Sequence, residues 1–462
     1  QTYYLVMNNI STTGACFYAN QENITLNMNS HTLFFTQAST VIRTFSDSWN
    51  FGNNFEIMNG EIVQTSASGQ GNGGTGLITF QGCDGCKVHD MRLITLSFMY
   101  PNIAINFPAT GTIEIYNNDI QRNDQTISNG HTNVAAIHTA ALDGVEHIIL
   151  HHNNISGRPW LFDIGGKSVA GGRVTIYDNN WYPVKYNRNP YAIILEAAGG
   201  GEVYNNTIIS NNSRGISIQG TTIGPQQGYI VYDNYIDVGE ELIPGVDGAG
   251  THAFRIRPYP EPPYPISSNN RVYNNIVIAR TKPGSYATAG YLSSWDNTSI
   301  YNNTFIAISE DGIQEAESVA MEGGDFAGGS FYNNTLISNM FNIKNGGANG
   351  ATSNGLFISN KLVKMGNLPN YRTFVIGYWV YEAINNSFRD TEFINGSSKN
   401  SLTLLGECDL VDTNGDGVGD TTICAKLGVD FSWILTTKVV DGLGNFLNAN
   451  IQIRDINNAL VL

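Results

Sequence analysis

Residues 201–208 read Gly-Glu-Val-Tyr-Asn-Asn-Thr-Ile, and the pattern Tyr204-x-Asn206-x-Ile208 within them recurs along the chain. It is preceded by Tyr116–Asn118–Ile120, His151–Asn153–Ile155 and Tyr177–Asn179–Trp181. It continues as Tyr232–Asn234–Ile236, Tyr273–Asn275–Val277, Tyr301–Asn303–Phe305, Tyr332–Asn334–Leu336, Ile358–Asn360–Leu362 and Ile384–Asn386–Phe388. Successive Asn residues are 35, 26, 27, 28, 41, 28, 31, 26 and 26 residues apart. A near-constant period in that range is the mark of a solenoid. The two longest spacings fit an ordinary coil with an inserted loop. The segments around each Asn, such as VTIYDNNWY and SIYNNTFIAI, are short and rich in β-formers. Gly, Asn, Ser and Pro separate them, as in turns. No apolar repeat of helical period is present.

Stacked parallel strands bury one apolar face in a common core, about 4.8 Å from coil to coil. An Asn in such a stack satisfies its amide by donating to one neighbouring coil and accepting from the other. The repeat therefore predicts an internal Asn ladder and, two residues earlier, an aromatic one. The fold class is all-β, a parallel β-helix. Coils phased near Asn29, Asn59 and Asp90 bring the expected total to about thirteen. Three segments are expected: the β-helix over 1–405, a short loop module over 406–431, and a strand-rich tail over 432–462.

The opening YYLVMNNISTTGACFYANQENITLNMNSHTLFF resembles the first coil of secreted right-handed parallel β-helix proteins of the pectate-lyase-like superfamily, and GLITFQGCDGCKVHDMRLI resembles their repeat. The resemblance implies the fold but little about function, because this fold hosts lyases, hydrolases, adhesins, phage spikes and structural proteins.

A net charge of −15 and only 24 Lys and Arg argue against nucleic acid as a partner, since phosphate contacts need a basic face. No run of 18 apolar residues marks a transmembrane helix. The start at Gln1 is read as that of a mature secreted chain, so the expected location is extracellular or at the cell surface. Four Asn-Asn-Thr/Ser sequons fall in the repeat turn, with Asn205, Asn302, Asn333 and Asn385 as the expected glycan carriers.

Residues 412–420 read Asp-Thr-Asn-Gly-Asp-Gly-Val-Gly-Asp. Asp412, Asn414, Asp416 and Asp420 supply alternating oxygen donors of the kind Ca²⁺ takes, and Gly417 permits the turn. The loop resembles those of thrombospondin type 3 repeats and dockerins. Ca²⁺ is thus the expected structural cofactor, with Cys408 and Cys424 bracketing the loop as a disulfide. Cys83 and Cys86 are read as a local disulfide or two buried thiols, and Cys16 as a buried core thiol. The phrase VVDGLGNFLNANIQIRD resembles the start of a carboxypeptidase-regulatory-like or other Ig-like β-sandwich, but the roughly 30 residues left make only part of one.

A second strand in each coil carries polar residues. Aligned by position they are His138, Asp163, Glu196, Gln219, Arg257, Ser294, Glu322 and Asn345. In that alignment Asp163 and Glu196 lie one coil apart, near the separation of about 5 Å used by retaining glycosidases. Arg255 or Arg257 would neutralise a uronate, as the superfamily's lyases do. A solvated face gives a mixed polar column just as readily. His131, His138, His147, His151 and His152 cluster in sequence but fit no zinc spacing. With no recognisable catalytic motif, the leading expectation is a structural subunit of a glycosylated extracellular filament, sheath or surface layer that self-assembles through its tail. The rivals are a polysaccharide lyase or glycoside hydrolase acting through Asp163, Glu196 and Arg257, and a glycan-binding adhesin.

Overall fold

Alternating apolar residues and turn-forming Asn wind this chain into a right-handed parallel β-helix. The structure is a computed structural model, which describes residues 1–36, 40–44, 53–66, 76–96, 101–106, 111–123, 135–139, 147–157, 160–164, 172–184, 191–195, 199–211, 213–219, 228–240, 251–257, 269–281, 285–292, 297–313, 315–321, 324–325, 329–345, 352–353, 355–376, 382–398, 402–404, 408–411, 421–424 and 426–432. Every regular element among them is a strand. One sheet has 29 strands and a second has 14. A typical coil runs Gly201–Tyr204 and Thr207–Ser210 in the first sheet, then Arg214–Gln219 in the second.

The first sheet bends where the repeat Asn sits. The residue before it adopts the left-handed conformation, with φ of 53° at Asn117, 55° at His152, 55° at Asp178, 53° at Asn205 and 54° at Asn333. Asn and Asp tolerate this region better than other non-Gly residues, which explains their choice at the corner. The turn aims the next Asn inward. Asn118, Asn153, Asn179, Asn206, Asn234, Asn275, Asn303, Asn334 and Asn360 are all buried.

These amides form the expected ladder. Asn153 Oδ1 accepts from both the backbone N–H of Asn118 at 3.0 Å and its Nδ2 at 2.9 Å. The same double acceptance repeats from coil to coil as far as Asn360. The second Nδ2 hydrogen bonds a backbone carbonyl, as Asn206 does to Ile176 O at 2.9 Å. The ladder stops at Met91, whose backbone N–H donates to Asn118 Oδ1. In the early coils the left-handed corner is kept by Asn29, Asn59 and Asp90, but the inward position after it is no longer Asn. The side chain of Asn386 lies outside the described residues.

Two residues after each ladder Asn, Ile120, Ile155, Trp181, Ile208, Ile236, Val277, Phe305, Leu336 and Leu362 are fully buried. On the other arm of the corner, Val88, Ile115, Leu150, Ile176, Val203, Val231, Val272, Ile300 and Phe331 stack in register. Each such side chain contributes roughly 1.5–3 kcal/mol on burial. Outside the core, two residues before the Asn, an aromatic ladder begins at buried His89 and runs through half-exposed Tyr116, His151, Tyr177, Tyr204, Tyr232, Tyr273, Tyr301 and Tyr332. His89 and His151 thus take Tyr positions in the stack.

Cys83 and Cys86 form a disulfide in the core. Cys16 departs from its expected burial: it is half-buried at the edge of the core, because the coil that holds it has a neighbour on one side only. Cys408–Val411 and Thr421–Cys424 form an antiparallel hairpin with Cys408 opposite Cys424. The loop 412–420 between them lies outside the described residues. The strand Lys426–Ser432 spans the expected boundary at 431 and pairs parallel with Glu382–Arg389, so this part of the tail extends its own solenoid. Residues 433–462 lie outside the described residues.

Candidate functional site

The outward face of the 14-stranded sheet gathers polar side chains between Tyr191–Leu195 and Phe341–Asn345. Ile193, Ile216, Phe254, Val319 and Ile343 of successive strands point into the core, in register. Their neighbours therefore point away from it. Along one outward column stand Ile194, Ser217, Arg255, Tyr291, Ala320 and Lys344. A second set sits two residues before the core-facing ones, and contacts with Arg255 and Tyr291 join it to this column: His252, Thr288 and Glu317 face one another, with Tyr191 opposite Arg214.

Tyr191 is the centre of this face. Arg255 Nη1 donates to its phenol oxygen at 2.7 Å and Arg214 Nη1 at 3.2 Å. Arg214 and Arg255 also lie over its ring, at 5.3 and 5.9 Å from the centroid, and Arg255 lies 5.2 Å from that of Tyr291. Tyr191 is 4% exposed, His252 5% and Arg255 7%. Burial pushes the Tyr191 phenol up, but the two guanidinium charges and their hydrogen bonds more than offset it, and the phenol is held below its ordinary range. His252 stacks on Tyr291 with centroids 4.3 Å apart. Neither of its ring nitrogens has a hydrogen-bond partner among the described residues. Burial, then the charges of Arg214, Arg255 and Arg257, holds it neutral, with its pKa well below the usual imidazole value. Half-exposed Arg214 and Arg257 flank these buried groups and open the site to solvent.

Further along the same face, Lys344 Nζ donates to Glu317 at 2.8 Å and to Glu315 at 2.5 Å, while Thr288 donates to Glu317. This group is satisfied internally and closes the cluster on one side. Burial raises the Glu317 carboxyl, with Lys344 acting against it. The Lys344 ammonium is disfavoured by burial, yet the two carboxylates raise its pKa overall.

The structure separates the residues aligned from sequence. Asp163 stands opposite His138 on one side and Ile194 on the other. Glu196 lies outside the described residues, as does the side chain of Asp163. Arg257 stands opposite Gln219, as aligned, at the edge of the cluster. Arg255, the other arginine singled out in sequence, is at its centre. Tyr191 and His252 were missed. The run YAIIL reads as wholly apolar, and the usable signal was THAFRIR, where His and two Arg alternate with Phe and Ile. Of the five clustered His residues, His131 lies outside the described residues; among the described residues no group of three or more His, Cys, Asp or Glu side chains is disposed to hold a metal.

A pH dependence follows from the buried imidazoles. Burial first, and then the Arg122 charge, lowers His138 to about 4. An unfolded chain, with His near its ordinary value of about 6.5, binds protons that the folded chain refuses. Stability from His138 and His252 is therefore complete above about pH 6.5 and is lost as pH falls, by on the order of 2 kcal/mol at about pH 5 for His138 alone. The melting temperature is expected to fall between neutral pH and pH 5, and less steeply in His138→Phe. A flat profile for the native chain would refute this account.

No family model and no curated protein matches the chain. Among solved structures it is similar to the Azotobacter vinelandii mannuronan C-5 epimerase AlgE6 A-module, at 11% identity and a TM-score of 0.37, covering 87% of this chain and 90% of that one. It is also similar to a tailspike protein mutant of E. coli bacteriophage HK620 in complex with a pentasaccharide, at 11% identity and a TM-score of 0.38, covering 93% and 70%. A third is the periplasmic alginate epimerase AlgG, at 10% identity and a TM-score of 0.34, covering 83% and 74%. Among the described residues no helix is long and apolar enough to cross a membrane.

Proposed function

We propose that this is an extracellular polysaccharide lyase acting on acidic glycans at Tyr191. The observation that carries the reading is the Tyr191 phenol, buried and bonded to two guanidiniums that hold it acidic. A phenol whose ionised form is favoured by neighbouring positive charge is better suited to act as a general base than a free one. A uronate carboxylate entering beside Arg214 and Arg257 would be neutralised by guanidinium, which acidifies the proton on the adjacent carbon. The ionised phenol takes that proton. The electron pair forms a carbon–carbon double bond, and the glycosidic oxygen leaves with a proton returned by the phenol. His252, neutral and unpaired, offers one donor and one acceptor to a sugar hydroxyl.

The filament reading stands second. It is favoured by the first coil, where residues 1–21 carry no Asp, Glu, Lys or Arg, and Tyr3, Tyr4, Leu5, Met7 and Tyr18 are exposed. Uncharged edge strands invite pairing with another copy. Incubating the chain with a panel of acidic polysaccharides, then sedimenting it at high concentration, separates the two readings. The lyase reading expects unsaturated sugars, seen by ultraviolet absorbance, from a monomer. Absence of unsaturated product from every acidic polysaccharide overturns it, and a monomer at high concentration removes the filament.

The Ca²⁺ site at Asp412, Asn414, Asp416 and Asp420 belongs to the same extracellular picture. Its support is the hairpin register, which sets Cys408 opposite Cys424 at the base of the loop, as a bracketing disulfide requires. Asn205, Asn302 and Asn333 are exposed beside buried ladder partners, as glycan carriers must be. The side chain of Asn385 lies outside the described residues.

A further inference from the structure

Six tyrosines of the aromatic ladder follow one another without interruption. Their Cα atoms are in register from Tyr177 to Tyr204, Tyr232, Tyr273, Tyr301 and Tyr332. Ring centroids are 5.0, 4.9, 5.0, 5.0 and 4.9 Å apart, and adjacent planes are within 10° of parallel. Each ring is half-exposed. Because the strands are parallel and in register, each ring has the next ladder tyrosine as its stacking neighbour.

We propose that this row is a site of oxidative tyrosine–tyrosine cross-linking, which staples successive coils when the protein meets a one-electron oxidant such as a peroxidase with hydrogen peroxide. The unpaired electron of a phenoxyl radical occupies orbitals perpendicular to the ring, with density at the ortho carbons. Stacked rings keep those carbons close, so the nearest coupling partner of each tyrosine is its ladder neighbour. A bond between ortho carbons is about 1.5 Å long, so coupling rings must tilt out of the stack, a side-chain movement open to half-exposed rings.

The step balances. Two phenols each give up one electron and one O–H proton. The radicals join through a bond between ortho carbons, and the hydrogen on each of those carbons moves to its phenol oxygen as the rings become aromatic again. Hydrogen peroxide takes the two electrons and two protons and leaves as two waters. Tyr116 is excluded, because His89 and His151 occupy the positions on either side of it.

The test treats the intact chain with a peroxidase and hydrogen peroxide, then maps cross-linked peptides by mass spectrometry and reads dityrosine fluorescence. The expected products are intrachain links, each lighter by two hydrogens, between neighbouring ladder tyrosines. Tyr232→Phe keeps the stack. It should abolish the Tyr204–Tyr232 and Tyr232–Tyr273 links while leaving Tyr301–Tyr332. Links confined to the exposed Tyr3, Tyr4 and Tyr18, appearing as covalent dimers, overturn the proposal. So does a Tyr232→Phe map identical to that of the native chain.

Discussion

Asn206→Ala is expected to lower the stability of the chain by about 3–5 kcal/mol, more than an average core truncation to a smaller apolar residue. The amide of Asn206 makes six contacts. Its Oδ1 accepts from Asn179 N at 3.2 Å, Asn179 Nδ2 at 3.0 Å and Trp181 Nε1 at 3.3 Å. Its Nδ2 donates to Ile176 O and Tyr204 O at 2.9 Å and to Asn234 Oδ1 at 3.0 Å. Alanine removes all six and leaves three donors and an acceptor on the preceding coil, and one acceptor each on its own and the following coil, inside a dry core. Each stranded group costs about 1–3 kcal/mol, and the sum is reduced where groups share a partner or admit water. Asn205→Gly is the matching control. Asn205 is exposed with φ of 53°, a conformation glycine adopts freely, so its replacement should be close to neutral. Chemical denaturation of both variants checks the pair. Equal losses at 205 and 206 would show that the corner matters and the ladder does not.

Tyr191→Phe is expected to reduce the release of unsaturated sugars by about 10²–10⁴-fold, the usual worth of a positioned acid–base group. Phenylalanine keeps the ring over which Arg214 and Arg255 lie and removes only the oxygen they bond. The loss should fall on kcat, with KM nearly unchanged, because the arginines that attract the carboxylate remain. Arg214→Lys should do the reverse. Lysine keeps the charge but not the planar fork, so KM rises more than kcat falls. A Tyr191→Phe variant that keeps full activity and a native melting curve would move the proton transfer elsewhere, with His252 next in line.

The helical stack was legible in sequence because one residue type must recur where the chain turns inward. Asn118 to Asn360 keep their places although the intervening lengths run from 26 to 41 residues. The second sheet has no such marker. Its outward positions differ from coil to coil, and loops of unequal length precede each strand, so an alignment by eye set Glu196 against Asp163 where the backbone sets Ile194. Tyr191 was hidden for a related reason. On a strand buried on both faces the period of two disappears, and this phenol looks like one more large core residue. Arg255 was visible because a charge in an apolar run needs a reason wherever it falls.

The side-chain links of the ladder all run one way, each amide donating to the Asn oxygen of the coil that follows. This gives the fold an arrow. Each ladder coil presents an acceptor to the coil before it and donors to the coil after it, so a complete extra coil brings a matching plug and socket. Half a coil brings neither, and a coil threaded backwards would set donor against donor. The chain can therefore lengthen or shorten by whole modules, and it can let the excursions between them vary, as they do between Asn234 and Asn275. What it cannot vary is the sense of the thread.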